Sequence, residues 1–374
     1  MNNTYCNIIQ KGLSVSHQGV SLCVINPDKH QMKPSEFWYS DLRATELDNM
    51  FKGKSVKGCD ICYTNEKHNI PSSRSFYNNN IYTNIPSKEL PTIVDLDFSN
   101  FCNLKCLMCS PVRSSEWGKD RGYPNNGIKS ISMDLIDDLV SISDNIEQMT
   151  IQGGEPSIMK EYEYYFEHLD RKNILGNINL QVITNATNVN TKFYKLLEGF
   201  KSVRLSVSVD AFGKANNYIR WPSNFEQIEK NLVKMRELRN NVKVEILNSL
   251  NVLSMFNYHD FLSWCKKMES LYSEKNRPFS VVPMKVVFPV QWSPFIAPRS
   301  LKDRFTNDVK KFIQKDSLTH NFNFKTEIMM LMNRIQKTET NQQAIDLMKS
   351  SVKALDTKRN TKITNYIPDF YKYI

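Results

Sequence analysis

Three cysteines lie within eight residues of one another, at Cys102, Cys106 and Cys109. They follow an apolar run, residues 92–98, that predicts a buried strand, so the three thiols share the loop after that strand. Thiolates are soft metal ligands, and three on one short loop can all reach a single metal centre. The spacing therefore predicts a metal site.

The spacing also narrows the kind of metal. Zinc sites usually take two separated pairs of cysteines, which a tight triplet fits poorly. A cubane cluster of four irons held by three thiolates leaves one iron open for another ligand. An open metal position allows chemistry, as it does at catalytic zinc. On these residues alone, a structural cluster and buried thiols without metal remain alternatives.

A second motif follows one strand and one helix later in the chain. A short predicted strand, residues 149–151, runs into Gly153-Gly154-Glu155-Pro156. The two glycines allow the backbone to approach a ligand closely, and the glutamate can bind a cationic amine. On its own, this motif is also an ordinary turn.

Together, the C-x3-C-x2-C loop and the Gly-Gly-Glu-Pro motif resemble those of the radical S-adenosylmethionine (SAM) enzymes. The resemblance implies a catalytic [4Fe–4S] cluster on Cys102, Cys106 and Cys109, with SAM chelating the open iron and the second motif holding SAM's amino group. In that family an electron from the cluster splits SAM into methionine and a 5′-deoxyadenosyl radical, which abstracts hydrogen from the substrate. Met108 departs from the aromatic residue that is usual before the third cysteine.

Polar residues also end the next two predicted strands, where parallel α/β folds bind their ligands. In related enzymes these positions lie around the ribose and carboxylate of SAM. The candidate contacts are Thr184, Asn185, Ser208, Asp210 and Arg220. Arg220 could pair with SAM's carboxylate through two hydrogen bonds or could make a structural ion pair, and the sequence leaves both open.

Four further cysteines, Cys6, Cys23, Cys59 and Cys62, lie in the first 90 residues. Residues 13–22 alternate apolar and polar, which predicts a hairpin that brings Cys6 and Cys23 towards each other. Cys59 and Cys62 form a C-x2-C knuckle. Four thiolates can close one site, and on chemistry alone it could hold zinc or an iron–sulfur cluster.

The layout of this segment resembles the auxiliary-cluster modules of radical SAM enzymes, which are called SPASM and twitch. It is similar to a twitch-containing group in which the cysteines precede the barrel, and Glu66, Ser73 and Arg74 after the knuckle match that group. The resemblance implies a second [4Fe–4S] cluster on these four cysteines in preference to zinc.

Strands and helices alternate from residue 92 onward, which predicts an α/β fold with a parallel sheet and helical crossovers. Six such units resemble the partial, TIM-like (β/α)6 barrel of the family. The sixth strand is predicted at 281–290, and Pro283 and Pro289 are compatible with an edge strand or with the ends of a strand. The predicted parts are a Cys-rich auxiliary segment (1–90), the radical SAM barrel (91–298) and a helical C-terminal extension (299–374).

Composition limits the classes of protein to which this chain can belong. Hydrophobic residues make up 40% and charged residues 24% of the 374, which is typical of globular chains. No apolar run approaches the length of a membrane span, and the first residues lack a secretory signal. The sequence therefore predicts a cytoplasmic protein without membrane contact, in which eight cysteines favour metal over disulfides.

The formal charge is +10, and residues 299–374 hold 15 lysines and arginines against 8 acidic residues. This excess predicts a solvated basic face or contact with an acidic partner. RNA-binding motifs with interleaved aromatic residues are absent, so nucleic acid is not favoured.

The resemblance implies a radical SAM oxidoreductase. SPASM and twitch relatives often modify peptides, so the resemblance implies a peptide or protein substrate, and a reduced flavodoxin or ferredoxin-type electron donor. One alternative substrate is a small molecule, such as a nucleotide or sugar. Another alternative is a non-catalytic iron–sulfur binding protein, although a structural cluster would need no SAM-binding motif.

Overall fold

The computed structural model describes residues 4–68, 70–79, 84, 86, 88–315, 318 and 324–374. Its centre is a sheet of eight strands: β1 Gly12–Ser16, β2 Gly19–Ser21, β3 Ile93–Asp97, β4 Gln148–Ile151, β5 Asn179–Thr184, β6 Ser202–Ser208, β7 Val242–Leu250 and β8 Phe279–Lys285. Their order in the sheet is β2-β1-β3-β4-β5-β6-β7-β8. Every neighbouring pair is parallel except β1 and β2, which form an antiparallel hairpin.

Helices connect and cover these strands. In the N-terminal part they are α1 Asn7–Lys11, α2 Pro34–Trp38, α3 Asp41–Phe51, α4 Asp60–Lys67 and α5 Ser73–Asn79. Between the later strands they are α6 Ser115–Asp120, α7 Met133–Ser141, α8 Lys160–Arg171, α9 Thr191–Leu197, α10 Gly213–Ile219, α11 Phe225–Met235 and α12 Tyr258–Ser273. The C-terminal helices are α13 Arg299–Lys315, α14 Phe324–Lys337, α15 Gln342–Arg359 and α16 Phe370–Tyr373.

Strands β3 to β8 and the helices between them are the six predicted units. They confirm the α/β fold with a partial barrel, and α13 to α16 confirm the helical C-terminal extension. The predicted division into three domains stays a prediction.

The predicted sixth strand, 281–290, overlaps β8 but extends beyond its end. β8 spans Phe279–Lys285, and its last paired residue, Lys285, lies opposite Leu250, the last residue of β7. The Val286 N–H still donates to the Leu250 carbonyl oxygen at 3.0 Å, but β7 ends at Leu250, and the apolar run that follows leaves the sheet. The edge position that the prolines allow is confirmed.

The predicted N-terminal hairpin is present and belongs to the barrel sheet. β1 pairs in parallel with β3, from Gly12 opposite Ile93 to Ser16 opposite Asp97. The sheet therefore includes strands from both sides of residue 90, the predicted end of the Cys-rich segment. This segment is anchored on β3, the strand that leads into the cysteine loop.

The two faces of the sheet differ in polarity. In β5, Leu180 and Val182 are buried, whereas Asn179 and Gln181 alternate with them and are half-buried. This alternation puts apolar residues under the helices and polar residues on the inner face. The inner face, with Asp95, lines a cavity of about 380 Å³. A packed TIM barrel fills this space with apolar side chains, so the polar lining leaves room for a polar ligand.

Among the helices that the structure describes, none combines the length and the apolar character needed to cross a membrane.

Candidate active site

The three cysteines of the loop after β3 share one cavity of about 460 Å³ at the carboxyl ends of the strands. Cys102 is buried, and Cys106 and Cys109 are half-buried. The predicted SAM-site residues that line the same cavity are Gly153, Gly154, Glu155, Thr184, Asn185, Ser208 and Arg220. The fold therefore brings both motifs together. Pro156 and Asp210 lie behind the cavity wall, and both are buried.

Neighbouring elements hold the cysteine loop from two sides. The Trp117 indole N–H, on α6, donates to the Cys106 carbonyl oxygen at 3.0 Å. The Leu107 N–H donates to the carbonyl oxygen of Ile219, the last residue of α10, at 2.9 Å. The Cys102 N–H donates to the Ser115 hydroxyl at 3.2 Å. These contacts fix the path of the loop through its backbone and leave the sulfur atoms facing the cavity.

The chemistry of the thiols fits a cationic metal group. Burial raises the pKa of Cys102 well above its usual range, raises that of Cys106 to about 12, and also raises that of Cys109. Thiolates in such a place need a compensating cation, and iron binding supplies one by displacing the protons. The three residues therefore fit a cluster with one open iron.

The glycines of the second motif have a structural reason that the sequence did not reveal. A side chain on Gly154 would overlap the Phe101 carbonyl oxygen, and Gly153 adopts a φ of +123° beside Ser99. The Gly154 N–H donates to the Ser99 oxygen at 2.9 Å, and the Glu155 N–H donates to the Phe101 oxygen at 2.8 Å. The glycines thus allow the end of β4 to pack against the start of the cysteine loop.

The Glu155 carboxylate links the ends of β4 and β5. It accepts hydrogen bonds from the Ser157 N–H (3.1 Å) and hydroxyl (2.6 Å), from the Thr184 hydroxyl (2.6 Å) and from the Asn185 N–H (2.6 Å). Burial raises the pKa of this carboxyl group, and the hydrogen bonds from Asn185, Ser157 and Thr184 oppose that shift. Because the side chain is fully buried, contact between Glu155 and SAM's amino group stays a prediction.

Arg220 makes the structural ion pair that was one of its two sequence alternatives. Its Nε lies 2.8 Å from Asp210 Oδ2, and its Nη2 donates to Oδ1 at 2.9 Å. Nη1 lies 3.8 Å from the Cys106 sulfur. Two of the predicted site residues are therefore partners of each other, and one of them also contacts the cysteine loop.

Arg113, Gln152 and Ser249 also line the cavity and were missed by the sequence analysis. Arg113 donates to Asp97 Oδ2 at 2.5 Å, and its position four residues after Cys109 was an available signal. Ser249 lies near the end of β7, which runs to Leu250.

The four N-terminal cysteines also come together. Each of the four is buried. Burial raises the pKa of Cys59, and the nearby thiols of Cys23, Cys6 and Cys62 raise it further through charge repulsion. Cys59 precedes α4 and Cys62 lies within it. Gly58, with a φ of +81°, packs directly against the Asn26 side chain in the turn after Cys23, so the two cysteine-bearing loops interlock.

Two of the residues that match the twitch-containing group, Glu66 and Arg74, form an ion pair in this segment. Glu66, on α4, pairs with Arg74 on α5, and Arg74 donates to the Tyr5 carbonyl oxygen at 3.1 Å. This ion pair ties the helix that carries Cys62 to the residue before Cys6. Among the residues that the structure describes, no group of three or more His, Cys, Asp or Glu side chains is arranged so that it could hold a metal ion.

Comparison with known proteins identifies the class. Residues 96–266 match the family model of the Radical SAM superfamily, a range that includes the cysteine loop, the Gly-Gly-Glu-Pro motif and β4 to β7. Residues 96–266 are therefore a radical SAM domain. The family implies a [4Fe–4S] cluster and SAM as its cofactors.

Solved structures give a looser likeness. Streptococcus suis SuiB bound to S-adenosylmethionine is 16% identical, with a TM-score of 0.37 over 78% of this chain and 52% of SuiB. SuiB bound to the precursor peptide SuiA is 14% identical, with a TM-score of 0.39 over 83% of this chain and 70% of SuiB. TYW1 with a lysine–pyruvate adduct is 14% identical, with a TM-score of 0.34 over 61% and 72% of the two chains.

The chain thus spans about half the length of the first SuiB structure that it matches. A search of curated protein sequences finds no significant match.

Proposed function

We propose that this enzyme binds its cluster through Cys102, Cys106 and Cys109, cleaves SAM reductively and abstracts hydrogen from a peptide or protein. The observation that supports this most strongly is that three thiols of one loop and the Gly-Gly-Glu turn line the same cavity. When bound, the cluster and SAM supply a 5′-deoxyadenosyl radical, as in the family.

The residues of the chain bind and orient these groups. The three thiols are the iron ligands, and Met108 beside them contributes an apolar wall to the cavity. Asn185 donates from its side chain to Asn103 at 2.9 Å, which couples the end of β5 to the cysteine loop. Ser208 and Ser249 offer hydroxyl groups to SAM at the ends of β6 and β7.

The inner face of the sheet is the proposed substrate site. Asp95, Gln181 and Arg204 line the second cavity, which lies at the opposite end of the strands from the cysteine cavity. Amide, hydroxyl and charged groups of both signs suit a substrate with many hydrogen-bonding groups, such as a peptide backbone with polar side chains.

An exposed apolar segment favours a peptide or protein over a small molecule. After β8, the side chains of Val287, Phe288 and Val290 are exposed, Phe288 to 79%, and Met284 at the end of β8 is exposed as well. Contiguous exposed apolar groups mark contact with another polypeptide more often than with a polar metabolite. They lie at the free edge of the barrel, on the side where the strands end.

Deuterium transfer to 5′-deoxyadenosine tests the substrate class. Reconstituted enzyme, SAM and dithionite are mixed with an extract of fully deuterated cells of the source organism, divided by ultrafiltration into macromolecules and small molecules. We expect the macromolecular fraction to yield 5′-deoxyadenosine that is one mass unit heavier, because the radical takes deuterium from a carbon of its substrate. Deuterium from the small-molecule fraction alone would support the nucleotide or sugar alternative.

We also propose that Cys6, Cys23, Cys59 and Cys62 hold a second [4Fe–4S] cluster. The proposal is supported by four buried thiols that interact electrostatically and by the loops that interlock around them. The flavodoxin or ferredoxin-type donor is likewise part of the proposal, and the net charge of +10 would favour encounter with an acidic protein.

Replacing both Cys59 and Cys62 with alanine should lower the iron content from about eight to about four per chain. A shared cluster closes long loops, so its loss should also make the N-terminal segment more sensitive to protease. Metal analysis and limited proteolysis measure the two effects. Cys265→Ala is the control, because Cys265 is a buried residue of α12. About four irons and one zinc in the unmodified protein would contradict the second cluster.

A further inference from the structure

Arg220 connects a buried carboxylate to one of the cluster ligands. It lies at the end of α10 with its side chain 9% exposed, and Asp210, its partner, is fully buried. The Nε and Nη2 atoms face the carboxylate, whereas Nη1 faces the Cys106 sulfur at 3.8 Å. The guanidinium group therefore uses one edge for Asp210 and the remaining nitrogen for the thiol.

Asp210 is itself held in place. Its Oδ1 also accepts from the Ser249 N–H at 2.9 Å, and its own N–H donates to the Asn216 side chain at 2.9 Å. The guanidinium group of an arginine stays protonated in proteins. The guanidinium group is thus a permanent, oriented donor beside Cys106.

A second arginine reaches the same part of the loop from α15. Arg359 donates from Nη2 to the Lys105 carbonyl oxygen at 3.2 Å and from Nη1 to the Tyr218 oxygen at 3.0 Å. Its guanidinium group also lies over the rings of Tyr218 and Trp221. Two arginines therefore lie beside this part of the loop, and Arg220 is the one that contacts the Cys106 sulfur.

Hydrogen bonds to cluster sulfurs and nearby positive charge make the addition of an electron to an iron–sulfur cluster more favourable. We propose that Arg220 sets the reduction potential of the SAM-cleaving cluster through its contact with the Cys106 sulfur, and that Asp210 positions the guanidinium group. The proposal rests on the proposed function in one respect, which is that the cluster is bound by Cys106. The relevant step is uptake of one electron by the oxidised cluster from an external reductant.

This role differs from the binding of SAM's carboxylate. To bind that carboxylate through two hydrogen bonds, Arg220 would need the edge that it now uses for Asp210. Separation from Asp210 would leave a buried carboxylate without its partner, which is costly. In the present geometry the free nitrogen faces the cluster ligand.

Redox titration of the cluster without SAM tests the proposal, because two substitutions should shift the potential in opposite directions. In Arg220→Gln the orphaned Asp210 takes up a proton, so the cluster loses a donor, and the potential should fall by ~59 mV or more, equivalent to a tenfold change for one electron. In Asp210→Asn the charge of Arg220 is no longer balanced, so the potential should rise. Arg239→Gln, an exposed arginine before β7, is the control and should leave the potential unchanged.

The outcomes separate this inference from the proposed function. If the unmodified protein assembles no cluster on reconstitution, the proposed function fails and this inference fails with it. If clusters assemble but Arg220→Gln and Asp210→Asn both have the same reduction potential as the control, only this inference is overturned. A loss of SAM affinity in Arg220→Gln without a shift in potential would overturn it in favour of carboxylate binding. If the glutamine variant does not fold, Arg220→Lys takes its place. Lysine keeps the positive charge but lacks the planar guanidinium group, so the reduction potential should fall by less than the decrease expected for Arg220→Gln.

Discussion

Cys106→Ala is expected to lose about four of the irons of the reconstituted protein and all formation of 5′-deoxyadenosine. Cys106 is the central cysteine of the loop, and its carbonyl oxygen is already held by Trp117. The substitution therefore removes a metal ligand while the backbone contacts of the loop remain. Two thiolates cannot hold a cubane cluster that retains a single open iron.

Cys265→Ala is the matched control for this experiment. Cys265 is fully buried in α12, far along the chain from the loop, and no metal role is proposed for it. Its variant should keep all iron and all nucleoside production. If Cys106→Ala produced 5′-deoxyadenosine at the level of the control, the assignment of the cluster to this loop would be wrong.

Glu155→Ala is expected to combine a loss of stability with a loss of SAM affinity. The substitution leaves the donors on Ser157, Thr184 and Asn185 without their buried acceptor. Each unsatisfied donor costs about 1–3 kcal/mol, and partial relaxation leaves a total on the order of 3 kcal/mol or more. The ends of β4 and β5 then lose their link, so SAM affinity should fall by about tenfold or more while iron content is kept.

Thermal unfolding and equilibrium binding of SAM measure the two effects separately. Glu237→Ala is the control, because Glu237 is exposed and pairs with Lys275 at the surface. It should change the free energy of unfolding by about 1 kcal/mol or less. Unchanged stability together with unchanged SAM affinity in Glu155→Ala would reduce the motif to an ordinary turn.

The barrel was predictable because its signals are local. Each of β3 to β7 is a short apolar or alternating run followed by polar residues, and the strands predicted at 92–98 and 149–151 are β3 and β4. The cysteine loop and the Gly-Gly-Glu turn could be placed together because successive parallel strands bring their carboxyl ends to one edge. The end of the sixth strand was predicted too late, because the apolar run continues past Lys285, the last residue that pairs with β7.

The remaining features depend on contacts that no local pattern records. The parallel pairing of β1 with β3 joins segments about 80 residues apart, and the hairpin signal gave no indication of it. The choice between SAM's carboxylate and Asp210 as the partner of Arg220 depends on the path of α10. The requirement for Gly154 comes from the Phe101 backbone, which approaches it only in the folded chain.

The central claim is that this chain cleaves SAM at a cluster held by the loop after β3. The most direct measurement is the yield of 5′-deoxyadenosine and methionine from anaerobically reconstituted protein with SAM and dithionite. The account predicts both products in equal amounts, dependent on SAM and on the reductant, and absent in Cys106→Ala. A preparation that holds a full cluster on this loop and binds SAM, yet forms neither product under these conditions, would contradict the account.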